Sequence, residues 1–165
     1  MHYWGVCMIV VAWLMLGGVV WFFMDGWVTR QANPNAELAQ VAVADSVVLK
    51  RNAGGHFVAP GRINGMAVNF LVDTGATGVA LPAAVARRVG AQPGSPVHTA
   101  TALGLTTAYT TRLESVELAG LAVRNVAGVI VPDMPGDTVL LGMSFLSRFA
   151  VRMEGGEMHI GVRTP

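Results

Sequence analysis

The 165-residue chain has a single cysteine, Cys7, so no disulfide can close within it, and the thiol count does not tell which redox compartment it occupies. It also lacks a basic run. Eleven Lys and Arg, ten of them scattered arginines, stand against ten Asp and Glu for a formal net charge of +1. No face of that composition tracks a phosphate backbone, so nucleic acid is not an expected partner. Metal-ligand spacing is missing as well. His2, His56, His98 and His159 are isolated, with no HExxH and no Cys/His pairing, so neither a metal nor another cofactor is expected. Charge is scarce altogether, 13% of residues against 53% hydrophobic, which is more apolar than one domain in water requires.

The apolar excess is concentrated at the start. Tyr3 to Phe23 is 21 residues without a charge, and a helix of that length matches a bilayer core of roughly 30 Å. Trp4, Trp21, Phe22 and Trp27 lie near its ends, where amphipathic rings favour the interface. A cleaved leader would need a basic start, a shorter core and a small-residue site close behind. Only His2 precedes this core, and the nearest A-x-A pattern, Ala42-Val43-Ala44, comes far too late. Residues 1–24 are therefore expected to form a retained transmembrane anchor, with orientation unset because Arg30 alone follows the core. Residues 25–45, including "QANPNAELAQ", read as a flexible linker, and 46–165 as one folded domain.

That domain is strand-rich. "SVVLKR" (46–51) and "GHFVAPGRI" (55–63) carry β-branched and aromatic residues, and Asn64-Gly65 supplies the positive-φ pair of a tight hairpin returning through "MAVNFLV". Alternation puts Met66, Val68, Phe70 and Val72 on one face, with Leu71 apolar on the other, so the end of this strand is expected to be buried on both sides. "PAAVARRV" reads as a short helix with Pro82 first and Gly90 just past its end. Six threonines between 99 and 111 suit an exposed hairpin with its tip at Ala102-Leu103-Gly104. An internal echo, "INGMAV" (63–68) against "LAGLAV" (118–123), points to two duplicated halves, with "FLVDTGA" and the helix "PAAVARRV" after it matched to "VLLGMSFLSRF".

Asp-Thr-Gly occurs once, directly after the doubly apolar strand end, and a lone carboxylate there should be expelled, neutralised or paired. Gly75 permits a tight turn and close approach, and the Thr74 hydroxyl can pin the turn on a nearby carbonyl. Two carboxylates within about 3 Å repel by roughly 5 kcal/mol at an effective dielectric near 20, so such a pair holds one proton. Its ionised member can deprotonate a water while the protonated member donates to a substrate carbonyl oxygen. With one such loop per chain, the second carboxylate has to come from a second copy across a two-fold axis.

"FLVDTGAT" (70–77), the helix after "ALP", the Gly104 hairpin and "VLLGMSFLSRF" (139–149), in this order over about 110 residues, resemble the retropepsin-like aspartic proteases, in particular bacterial membrane-anchored members. The resemblance implies an all-β fold: a closed, half-pepsin β-barrel with one or two short helices, preceded by the single transmembrane helix. It implies Asp73 as the catalytic carboxylate and Thr74 as the hydroxyl that locks two loops across the axis. Gly75 is then the close-packing position, and Ala76 and Thr77 line the cleft. Ala102, Leu103 and Gly104 become the flap tip over a peptide substrate, and Leu140, Leu141 and Gly142 the support beneath the active loop. Activity as a homodimer and residence in a bacterial inner membrane with a periplasmic domain are further implications. Asp133 and Asp137 read as solvated loop carboxylates, and Glu114, Glu117, Glu154 and Glu157 as surface charge. Two other classes fit less well: a non-catalytic dimeric peptide-binding or assembly module on the same fold, and a glycoside hydrolase, which needs both carboxylates in one chain or at a wider spacing.

Overall fold

A computed structural model describes residues 3–40, 44–101 and 104–163. The chain opens with one continuous helix, α1 (Tyr3–Ala32), whose side chains from Val11 to Met24 are all exposed. Among the described residues no helix is long and apolar enough to cross a membrane.

Ten strands follow: β1 (Ser46–Lys50), β2 (Phe57–Ile63), β3 (Met66–Val72), β4 (Val79–Pro82), β5 (Pro96–Thr101), β6 (Gly104–Leu118), β7 (Leu121–Val131), β8 (Thr138–Leu141), β9 (Phe149–Glu154) and β10 (Glu157–Val162). Two short helices interrupt them, α2 (Ala83–Arg88) after β4 and α3 (Met143–Leu146) after β8. The large sheet runs β2-β3-β8-β4-β7-β6-β5, and a further pairing of β2 with β6 closes its first six strands into a barrel. Phe70, Leu81, Leu113, Leu141 and Phe145 are fully buried in its core. A separate sheet, β1-β10-β9, joins strands from the two ends of the domain.

The two hairpins of the internal echo have the same backbone. Asn64 and Gly65 take φ of 50° and 78°, and Ala119 and Gly120 take 47° and 86°, the left-handed pair that a two-residue turn needs. From each hairpin the chain enters a parallel pairing with the opposite half. Phe70, Leu71 and Val72 lie against Val139, Leu140 and Leu141, while Val129, Ile130 and Val131 lie against Ala80, Leu81 and Pro82. The two sets superimpose in sequence at a constant offset of 59 (Phe70 to Val129, Ala80 to Val139), against 55 at the hairpins, because β7 has 11 residues where β3 has 7. This changes the match between halves. "FLVD" corresponds to "VIVP", and Leu140-Leu141 on β8 corresponds to Leu81-Pro82 on β4. Pro132 therefore stands where the second half would carry an aspartate.

Smaller corrections have local causes. Pro82 closes β4 and caps α2, so the helix begins one residue later than the proline-first reading predicts. Met66 is 46% exposed although alternation assigns it to the buried face; it is the first residue of β3, next to the hairpin turn.

The stretch read as a flexible tether differs most. α1 continues to Ala32, the Gln31 carbonyl accepts the Ala53 N–H (3.2 Å), and the Ala32 carbonyl accepts Asn52 Nδ2 (3.2 Å). A 3-10 turn, Ala36–Gln40, sets Leu38 against the core. Asn35, only 4% exposed, donates to the carbonyls of Lys50 (2.8 Å) and Val58 (2.7 Å) and accepts the Lys50 N–H (2.8 Å). A carboxamide both donates and accepts, so it bridges β1 and β2 where a backbone partner is missing. Asn35→Ala would leave all three backbone groups unpaired and is expected to cost about 2–4 kcal/mol. The thermal midpoint of the chain should fall by about 10 °C; an unchanged midpoint would show that this stretch contributes nothing to holding the barrel.

Candidate active site

β3 ends in the barrel wall at Val72, and the chain leaves it at Asp73, whose N–H still donates to the Leu141 carbonyl (3.1 Å). Asp73 is half-buried, while Thr74, Gly75 and Thr77 are exposed. The turn is pinned by Asp73 itself. Its Oδ1 accepts the Gly75 N–H at 2.8 Å, and its carbonyl accepts the Ala76 N–H at 3.3 Å. Among the described residues the Thr74 hydroxyl makes no hydrogen bond, so it is not what holds this turn. Gly75 is not in the left-handed region; a Cβ there would come within 3.2 Å of Asp73 Oδ1. A side chain here would crowd the carboxylate, which would have to give by a few tenths of an ångström.

The support comes from the β8–α3 junction. A Cβ on Gly142 would collide with the Gly78 carbonyl and lie 2.5 Å from that of Ala76. That close approach lets the first N–H groups of α3, which have no partner inside a helix, bond the active loop. Met143 N–H donates to the Ala76 carbonyl (2.8 Å) and Ser144 N–H to that of Thr77 (2.9 Å). Ser144 Oγ adds a bond to the Ala127 carbonyl (2.8 Å), and the buried Phe145 and Leu146 fix α3 in the core. Leu141 is fully buried beneath the loop; Leu140 is half-buried and faces a second cluster with Ala80, Ala108 and Val131. Met143 and Ser144 were not legible as site residues, although a glycine followed by a short helix was a visible place to look for free N–H donors.

No other described carboxylate or histidine hydrogen-bonds Asp73 or forms an ion pair with it. No three described His, Cys, Asp or Glu side chains gather as a metal set. A cleft of about 420 Å³ lies elsewhere, on the outer face of β2 and β3, lined by Leu38, Arg62, Asn69, Arg88, Glu117 and Asp137. Asp73 lies outside that cleft, half-buried where the chain leaves the barrel wall. Beyond the Tyr109–Ile130 pair β6 leaves β7, and its first residues pair only with β5, which makes a projecting two-stranded arm. The arm is fixed at its base by Gly94 N–H to the Thr110 carbonyl (2.7 Å) and Thr110 N–H to that of Ser95 (2.9 Å). Further out, Thr106 Oγ1 donates to Asp133 Oδ2 (3.0 Å), so Asp133 is exposed yet engaged. Of the expected flap tip, Gly104 begins β6, whereas Ala102 and Leu103 lie outside the described residues.

Comparison with known proteins agrees with this geometry. The family model described as gag-polyprotein putative aspartyl protease matches residues 59–148, more than half of the chain. An uncharacterized protein in the cobV 5′ region of a Sinorhizobium species is 34% identical over 104 residues, covering 61% of this chain and 45% of that protein. The chain thus matches less than half the length of that curated relative. The crystal structure of a retropepsin-like aspartic protease from Rickettsia conorii superimposes with a TM-score of 0.59 at 29% identity, over 71% of this chain and 90% of that one.

Proposed function

The chain belongs to the gag-polyprotein aspartyl protease family, with a retropepsin-like fold, and from that premise we propose that it is a membrane-tethered aspartic endopeptidase, active as a homodimer. The observation that carries this reading is the half-built site: one carboxylate per chain, locked by Gly142 and α3 on an exposed loop, with Pro132 in the corresponding place of the other half. A second copy related by a two-fold axis supplies the second Asp73. Thr74, exposed and without a hydrogen bond among the described residues, is then placed to bond across the axis. The dyad holds one proton, its ionised member takes a proton from a bound water, and its protonated member donates to the peptide carbonyl oxygen. The substrate lies extended against strand edges, and the β5–β6 arm closes over it as the flap.

The tether is supported by Tyr3 to Phe23, 21 residues without charge within a 30-residue helix, and by exposed Trp13 (68%) and Phe22 (77%), which no described residue covers. A helix of that length rises about 45 Å, more than a bilayer core. Holding both partners in one membrane raises their effective concentration. A bacterial inner membrane with the domain on the periplasmic side is the setting we propose.

Incubating the detergent-solubilised chain with a peptide library and with oligosaccharides across pH tests the chemistry. Peptides alone should be cut, with a bell-shaped pH profile, because activity requires one proton on the pair and vanishes with none or two. Cleavage of glycosidic bonds, or a rate that rises monotonically with pH, would contradict it.

A further inference from the structure

The helix and the active loop meet the barrel at the same end. The last carbonyls of α1 are held by Asn52 and Ala53, four residues on from Ala53 is Phe57, and Phe57 is the cross-strand partner of Val72, the residue before Asp73. Four chain steps of at most about 3.6 Å, one strand crossing of about 5 Å and one Cα step of about 3.8 Å place Asp73 no more than about 30 Å from the end of α1. From Phe23, the last residue of the uncharged run, to Ala32 the helix rises only about 14 Å. No free joint separates the two intervals, because Asn35 and the Gln31 and Ala32 carbonyls clamp the helix end to β1, β2 and the turn between them. A loose linker would let the cleft sample a wide volume, whereas this connection limits how far the cleft can stand from the helix end.

We infer that the substrates are juxtamembrane segments of other membrane-attached proteins, extended stretches that emerge within about 45 Å of the bilayer. The inference rests on the tethered-protease reading above. Such a stretch corresponds to about 13 residues of extended chain. Confining enzyme and substrate to one membrane raises their mutual concentration only for cleavage sites at the height of the cleft, so distance from the membrane selects the bond together with its flanking side chains.

The full chain, reconstituted in vesicles with single-span reporters, tests this. One reporter carries a cleavable peptide about 12 extended residues from the bilayer. The other carries the same peptide beyond two folded spacer domains of about 100 residues, each roughly 35 Å across. The near reporter should be cut at least tenfold faster, and a flexible insertion of about 40 Gly/Ser residues after Asp25, which keeps the Asn35 clamp, should shrink that ratio severalfold. Equal rates on the two reporters, from a chain that stays in the vesicles and cuts free peptide, would overturn the inference alone. A chain that an alkaline wash removes from the vesicles defeats the tether and the inference with it. Failure to cut free peptide as well as both reporters defeats the protease reading.

Discussion

Asp73→Asn should abolish peptide hydrolysis, lowering kcat/KM by at least ~10³-fold, the scale lost when a positioned general acid–base is removed. The fold should survive. Asparagine keeps an oxygen that can accept the Gly75 N–H now bonded to Asp73 Oδ1, and neither the Asp73 N–H to Leu141 bond nor the Ala76 N–H to Asp73 carbonyl bond involves the side chain. An unfolding midpoint close to that of the unaltered chain, measured beside the assay, separates lost chemistry from lost structure. The same substitution discriminates the rival reading, because a peptide-binding module would retain peptide affinity and have no turnover to lose in either form.

Gly142→Ala should be the most damaging substitution of a single methyl group. Its Cβ has no room between the Gly78 and Ala76 carbonyls, both of them backbone, so relief requires moving the active loop off α3. That movement would break the Met143 and Ser144 N–H bonds to the loop. Overpacking together with two lost hydrogen bonds predicts about 3–5 kcal/mol of destabilisation. Denaturant titration would register it, and any protein that still folds should cut peptides poorly because Asp73 is no longer held. Near-normal stability with full activity would mean that the β8–α3 junction does not support the loop.

Much of the barrel was legible because its signals are local. Asn64-Gly65 announces its hairpin through the φ it tolerates, and the buried face of β3 shows in the alternation of Val68, Phe70 and Val72, while Leu71 on the other face is only half-buried. The Asp73 loop could be found because a charged residue follows directly on that apolar run. What the sequence concealed depends on partners distant along the chain. Asn35 looks like any residue of a polar linker, since its burial is decided by the carbonyls of Lys50 and Val58. The β1-β10-β9 sheet joins the two ends of the domain, and no periodicity links them; the Gly155-Gly156 turn, with φ of 58° and 84°, marks the β9–β10 hairpin alone. The echo between halves was visible at the hairpins and at the short helices α2 and α3, but the four extra residues of β7 shift the register between them and match Asp73 to Pro132.

The shared dyad is tested most directly by subunit mixing. Unaltered chains are combined with Asp73→Asn chains, allowed to exchange partners in detergent, and assayed at constant total protein. If each centre needs one Asp73 from each of two copies, activity follows the square of the unaltered fraction, and an equal mixture retains about a quarter of full activity. A linear response, with about half the activity left in the equal mixture, would show that a single chain cuts peptides by itself and would contradict the shared site.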